Sequence, residues 1–196
     1  MNLPNKLTVS RFGLTAAFLV VIFSNLPCRE TIALFLFSAA GVTDFLDGKI
    51  ARDRNIITNF GILCDPLADK VMTCSAFIAF VGLRLMPAWM AVIIVARELA
   101  ITGLRLLAVS KNVVLAAERY GKHKTISQIV SIISILVMMS YKKWGAFGQA
   151  VFGFPVGGLP WVVSFAEIMK WVAVLLTAIS GSLYLWRNRA IYLSDI

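Results

Sequence analysis

Six stretches of this chain read as crossings of a lipid bilayer, and that leaves few folds open. A crossing helix needs about 20 mostly apolar residues. The stretches are 12–27, 31–51, 60–83, 87–108, 124–141 and 161–186. Inside the hydrocarbon every backbone N–H and C=O has to find a partner in the protein, so segments this long and crowded are expected as helices, not as an open sheet. The reading is an all-α membrane protein, with six transmembrane helices in a single membrane domain covering 1–196. Of the 196 residues, 59% are hydrophobic and 15% charged. Soluble domains run at about 45–50% and about 25%, so a disordered chain is excluded and a water-soluble globule disfavoured.

Charge placement orients the bundle. Lys and Arg number 19 against 10 Asp and Glu, a net charge of +9. In a membrane chain this excess is read as topology and as attraction to anionic lipid head groups, with no nucleic-acid partner. With the N-terminus inside, the inner segments hold Lys6, Arg11, Lys49, Arg52, Arg54, Lys111, Arg119, Lys122, Lys124, Arg187 and Arg189. The outer loops hold only Arg29, Arg84, Lys142 and Lys143. That asymmetry puts both termini in the cytoplasm. Ahead of the first span, Leu3, Leu7 and Val9 could form the apolar side of a short N-terminal interfacial helix. Ser24-Asn25-Leu26-Pro27-Cys28 lacks the small-residue pattern of a cleavage site, so the segment is expected to be retained. The Gly- and Pro-rich stretch 142–160, with Trp144, Phe147, Phe152 and Phe154, reads as a surface or re-entrant loop at the outer interface.

Cys28, Cys64 and Cys74 are odd in number and have no C-x-x-C spacing, and His123 is the one histidine. A disulfide framework is therefore not expected, nor a zinc cluster. The chemistry lies elsewhere. Ionisable groups within spans are expensive and point to function. Asp44 and Asp47 fall late in the second span, Asp65 and Asp69 early in the third. Their i,i+3 and i,i+4 spacings put each pair on one face of its helix. The short connection from Arg52 to about Asn59 makes the two helices antiparallel neighbours, so the four carboxylates can converge near the cytoplasmic surface. Four such groups cannot all stay ionised unless protons or cations neutralise them. An all-oxygen donor set selects hard cations, Mg²⁺, Mn²⁺ or Ca²⁺. Two of them would form a clamp for phosphoryl chemistry. Structural pairing of the acids with Lys49, Arg52 and Lys70 is the plainer alternative. A cation- or proton-coupled transporter is another, although the chain shows no inverted repeat. Pro66 is expected either to kink the third helix or to sit in its first turn.

These residues carry a resemblance. The run Asp44-x2-Asp47-Gly48-x2-Ala51-Arg52-x8-Gly61-x3-Asp65-x3-Asp69 resembles the full signature of the CDP-alcohol phosphatidyltransferases. The resemblance implies six transmembrane helices, a homodimer and a cytoplasm-facing polar cavity. It implies transfer of a phosphatidyl or phosphoalcohol group from a CDP donor with release of CMP. It further implies two divalent cations, Mg²⁺ or Mn²⁺, held by Asp44, Asp47, Asp65 and Asp69, with Asp69 as general base. Gly48, Ala51, Arg52 and Gly61 would then line the CDP site. A direct attack by the acceptor is favoured, because no activated Ser or His adjoins the acids.

A second cluster bears on the acceptor. Arg97-Glu98 lies in mid fourth span, ahead of Thr102-Gly103-Leu104-Arg105. Arg119, Gly121-Lys122-His123-Lys124-Thr125 and Gln128 follow. Arg97 is read as a structural charge paired with Glu98 or with an aspartate. Arg105, Arg119, Lys122 and Lys124 are candidates for binding an acceptor phosphate, for which the arginine fork is well suited. Asn2-Leu3-Pro4-Asn5-x-Leu7-Thr8-x2-Arg11 and Asp65-Pro66-Leu67-Ala68-Asp69-Lys70, taken with the clusters above, are similar to the bacterial family members that use glycerol 3-phosphate. The resemblance thus implies CDP-diacylglycerol and glycerol 3-phosphate as substrates. Phosphatidylglycerol, serine or inositol phosphate are the alternative acceptors.

Overall fold

The apolar stretches do become long helices. A computed structural model describes residues 3–54, 59–111, 113, 115 and 120–193, and the side chains of these except 3–7, 44–54, 59–66 and 120–122. The long helices are α1 (Leu3–Phe23), α2 (Arg29–Arg54), α3 (Asn59–Gly82), α4 (Ala88–Ser110) and α5 (Tyr120–Ser140). A 3₁₀ turn (Tyr141–Trp144) leads into the short α6 (Gly145–Phe152). A two-residue pair of strands, β1 (Pro155–Val156) and β2 (Leu159–Pro160), precedes α7 (Trp161–Arg187) and α8 (Arg189–Leu193). The described fold is all-α but for that hairpin.

Each expected span falls on one long helix. Among the described residues, two helical runs are long and apolar enough to cross a membrane, His123–Phe152 and Trp161–Arg187, and Thr8–Phe23 is a shorter apolar run. Helix α4 carries Arg97, Glu98 and Arg105, which lower its apolarity. The separate N-terminal interfacial helix is corrected: α1 runs unbroken from Leu3. Pro4 stands in its first turn, where the missing N–H costs nothing, and the helix runs on through Gly13 at the start of the span. The helix stops at Phe23, short of the expected Pro27, and the Ser24 hydroxyl closes the end by donating to the Val21 carbonyl at 2.7 Å. Pro66 lies well inside α3, not in its first turn, and the helix continues on both sides of it. In the segment 142–160, Gly157 and Gly158 take φ +64° and +87°. A two-residue hairpin turn of type I′ needs positive φ at both central positions, and glycine adopts it without strain.

Helix α1 packs on α2 and α3, α5 on α7 and α2, and α4 on α7 and α3. The core is built on Phe18, Phe37, Phe77, Phe80, Ile94, Ile132, Ile135 and Leu136. Polar groups are also buried: Thr8, Arg11, Glu98, Lys124, Gln128 and Thr177 are inside. Large apolar side chains lie outside, among them Val20, Phe35, Val92, Leu99, Leu106 and Ile179. Water penalises such a surface; lipid does not. At the end of the bundle away from the aspartate positions, Glu30 is buried between Lys143, at 2.5 Å, and Arg29, at 3.2 Å. The Trp144 indole donates to the Thr31 hydroxyl at 3.0 Å beside it. Burial alone would raise the Glu30 carboxyl; the hydrogen bond from Lys143, helped by the backbone and Arg29, outweighs it and holds the carboxyl below its ordinary value.

Candidate active site

The site is built around α3. Asp69 is exposed on that helix and lines a cavity of about 80 Å³ with Ala68, Met72 and Thr73 of α3, Phe37, Ala40 and Gly41 of α2, Arg11 of α1 and Ile129 of α5. The Thr73 hydroxyl donates to the Asp69 carbonyl at 2.8 Å, one helical turn away. The side chains of Asp44, Asp47 and Asp65 lie outside the described residues, but their helices do not. Because α2 is helical from Arg29 to Arg54, positions 37, 40, 44 and 47 follow one stripe at spacings of three, four and three. Positions 65, 68, 69 and 72 do the same on α3. Two of the four positions on the α2 stripe, and three of the four on the α3 stripe, line the cavity. The acid positions thus continue the two helix faces that meet at Asp69.

That register, with donors that are carboxylate oxygens throughout, fits hard divalent cations and no thiophilic metal. Among the residues whose side chains are described, no group of three or more His, Cys, Asp or Glu could hold a metal. Gly48, Ala51, Arg52 and Gly61 occupy helical positions on α2 and α3, and their side-chain surroundings lie outside the described residues, as do those of Lys122. Arg119 lies wholly outside the described residues.

A second, buried constellation adjoins Asp69. The neighbouring Lys70 donates to the Thr102 hydroxyl of α4. That hydroxyl in turn donates to the Glu98 carbonyl at 2.7 Å. The Glu98 carboxylate pairs with Lys124 of α5 and, at 3.4 Å, with Arg97. Glu98 and Lys124 are each 5% exposed. Charges this deep are tolerated only when paired, and removing one partner of such a pair typically costs about 3–5 kcal/mol. Arg97 passes over Gly181 of α7, where even a methyl group would come within 2.6 Å of its Cγ. Further along, Gln128 donates to the Thr177 hydroxyl at 3.0 Å, tying α5 to α7.

Of the two partners expected for Arg97, Glu98 or an aspartate, the structure shows Glu98. Lys124 is brought into the interior and matched by Glu98, and is not a free cation at the helix end. Arg105 is exposed, with its guanidinium 5.9 Å from the ring centre of Tyr184. His123 is exposed. Sequence reasoning counted Arg11 as an inner-side charge and as the last residue of the N-terminal run Asn2–Arg11, and gave it no role at the site. The structure makes it a wall of the Asp69 cavity, 3% exposed. The signal was present: Thr8, Arg11 and Thr15, three and four apart, form a polar stripe in a mostly apolar helix, and all three are buried.

Comparison with known proteins gives the family. The model of the CDP-alcohol phosphatidyltransferase family matches residues 1–179. A CDP-diacylglycerol–glycerol-3-phosphate 3-phosphatidyltransferase of Bacillus subtilis is 35% identical, over 95% of this chain and 95% of its own. A protein of the same name from Rickettsia bellii is 32% identical over 93% of each chain. Another from Mycoplasma pneumoniae is 31% identical over 84% of this chain and 82% of its own. With the aspartate signature on two helices that meet at one cavity and a family match over most of its length, this chain belongs to the CDP-alcohol phosphatidyltransferase family.

Proposed function

We propose that this protein transfers the phosphatidyl group of CDP-diacylglycerol to sn-glycerol 3-phosphate, giving phosphatidylglycerophosphate and CMP in phospholipid biosynthesis. The observation that carries the reading is near full-length similarity to relatives named for this reaction, joined to the complete aspartate signature. The whole of 1–196 acts as one membrane domain of six transmembrane helices. Both termini and the polar cavity face the cytoplasm, and the working form is a homodimer. The apolar exterior and the inner-side excess of Lys and Arg support that topology.

Asp44, Asp47, Asp65 and Asp69 would hold two divalent cations, Mg²⁺ or Mn²⁺. Bound there, such ions neutralise the donor pyrophosphate and stabilise CMP as leaving group. Gly48, Ala51 and Gly61 leave room for the cytidine end of the donor close to the backbone, and Arg52 holds phosphate. Asp69 takes the proton from the acceptor hydroxyl. The acceptor oxygen forms a bond to the phosphatidyl phosphorus while the bond from that phosphorus to the CMP oxygen breaks. Arg105, Arg119, Lys122 and Lys124 supply positive charge for the acceptor phosphate; Lys124 does so from its pair with Glu98.

The reading is tested by identifying the lipid product by mass spectrometry. Purified protein given CDP-diacylglycerol, glycerol 3-phosphate and Mg²⁺ should form phosphatidylglycerophosphate, and a chelator should stop it until Mg²⁺ or Mn²⁺ is restored. No product from folded protein would overturn the reaction. Undiminished product under chelation would overturn the metal assignment.

A further inference from the structure

Among the described side chains, the cluster beside Asp69 sets three cations against the carboxylates of Glu98 and Asp69. Lys70 of α3, Arg97 of α4 and Lys124 of α5 converge there, and one glutamate links all three. The Glu98 carboxylate binds Lys124 and Arg97 directly. Its backbone carbonyl receives the Thr102 hydroxyl, and that hydroxyl receives Lys70. One residue of α4 therefore sets the place of cations from three helices. Arg97 is constrained further by the close approach of Gly181. Its buried Nε has no hydrogen-bond partner among the described residues, so a donor is left over next to the cluster. If Glu98 served only to cancel buried charge, a single cation would suffice. A cluster with a cation surplus and a spare donor instead suits a multiply charged anion.

We propose that Glu98 is a positioning residue for the acceptor: by fixing Lys124 and Arg97, and Lys70 through Thr102, it shapes the cationic pocket that receives the phosphate of glycerol 3-phosphate. Glu98 itself touches no substrate. The proposal rests on the functional reading above, and it separates two quantities that reading leaves joined, affinity for the acceptor and affinity for the donor. The donor pyrophosphate is held at the aspartates, so loosening the cluster weakens the acceptor alone.

The test is steady-state kinetics of CMP release with each substrate varied, on full-length protein in detergent or lipid. Glu98→Gln keeps the shape and removes the charge. It should raise the KM for glycerol 3-phosphate at least about tenfold, since charged hydrogen bonds are worth that much. The KM for CDP-diacylglycerol should stay within about twofold, as expected where only one substrate's contacts are lost. Glu98→Asp restores the charge on a shorter stem and should recover part of the acceptor affinity. A purely structural role would lower the yield of folded enzyme, or kcat, without that split. Unchanged acceptor KM in Glu98→Gln, or an equal rise for both substrates, would overturn the proposal while leaving the reaction standing. If Glu98→Gln does not fold, Glu98→Asp decides: a wild-type acceptor KM in that variant overturns the proposal. Wild-type protein that releases no CMP with glycerol 3-phosphate would overturn both.

Discussion

Gly181 offers a prediction whose size can be worked from the structure. A Cβ at this position would lie 2.6 Å from Arg97 Cγ, 3.5 Å from its Cβ and 3.7 Å from its Cδ. The crowded atom belongs to the base of the side chain, so Arg97 cannot swing its tip aside to make room. Ordinary contact begins at 3.4 Å, and the stem or the helix has to move by the 0.8 Å difference. Overpacking of this kind costs about 1–3 kcal/mol. The move also stretches the Arg97–Glu98 pair, already at 3.4 Å, and loses about 1 kcal/mol more. Replacing a helical glycine by alanine returns about 1 kcal/mol. Gly181→Ala should therefore lose about 1–3 kcal/mol, a fall in Tm of about 2–12 °C for a chain this long. Gly103 on α4 is the control, because a Cβ there meets nothing within 4 Å. Gly103→Ala should leave Tm unchanged or raise it by up to about 4 °C. Thermal unfolding of both variants in the same detergent is the assay. A Gly181→Ala protein as stable as Gly103→Ala would refute the packing of Arg97 against α7.

Three further outcomes are expected. Asp69→Asn should lower kcat for CMP release by about 10²–10⁴-fold while the protein still folds, and near-normal turnover would remove Asp69 from the role of base. The Glu30 carboxyl titrates below its unfolded value, so its contribution to stability is full above the ordinary glutamate value of 4.5 and is lost as the pH falls through the lower folded value. Tm of wild type should drop in that acidic window more steeply than Tm of Lys143→Met, and parallel curves would show that the Lys143–Glu30 contact does not stabilise the fold. Removing divalent cations should abolish CMP release with little change in secondary structure by circular dichroism, because the helices are held by apolar packing and not by the ions.

What the sequence disclosed and what it concealed divide along physical lines. Spans, helix faces and the aspartate stripes are local properties, fixed by periodicity within one segment, and the helices fall where hydropathy places them. Arg97 beside Glu98 is likewise local. The pairing of Lys124 with Glu98 joins residues on different helices, and nothing in either segment announces it. The same holds for Lys70 and Thr102, and for Lys170 of α7, which donates to the Leu85 carbonyl at 2.7 Å. Such contacts depend on how helices rotate and cross, which apolar patterning constrains only loosely when both the core and the exterior are apolar. The segment 142–160 was legible as irregular from its glycines and prolines, but its short helix and hairpin follow from local turn geometry that composition does not specify. Arg11 was overlooked because a basic residue near an inner helix end already had an explanation in topology.

The central claim is phosphatidyl transfer to glycerol 3-phosphate, and CMP release from CDP-diacylglycerol tests it most directly. Purified protein with Mg²⁺ should be offered glycerol 3-phosphate, serine, inositol phosphate and phosphatidylglycerol in separate reactions. Release with glycerol 3-phosphate alone, abolished by chelator, is the predicted result. Release with one of the other acceptors and none with glycerol 3-phosphate would contradict the account.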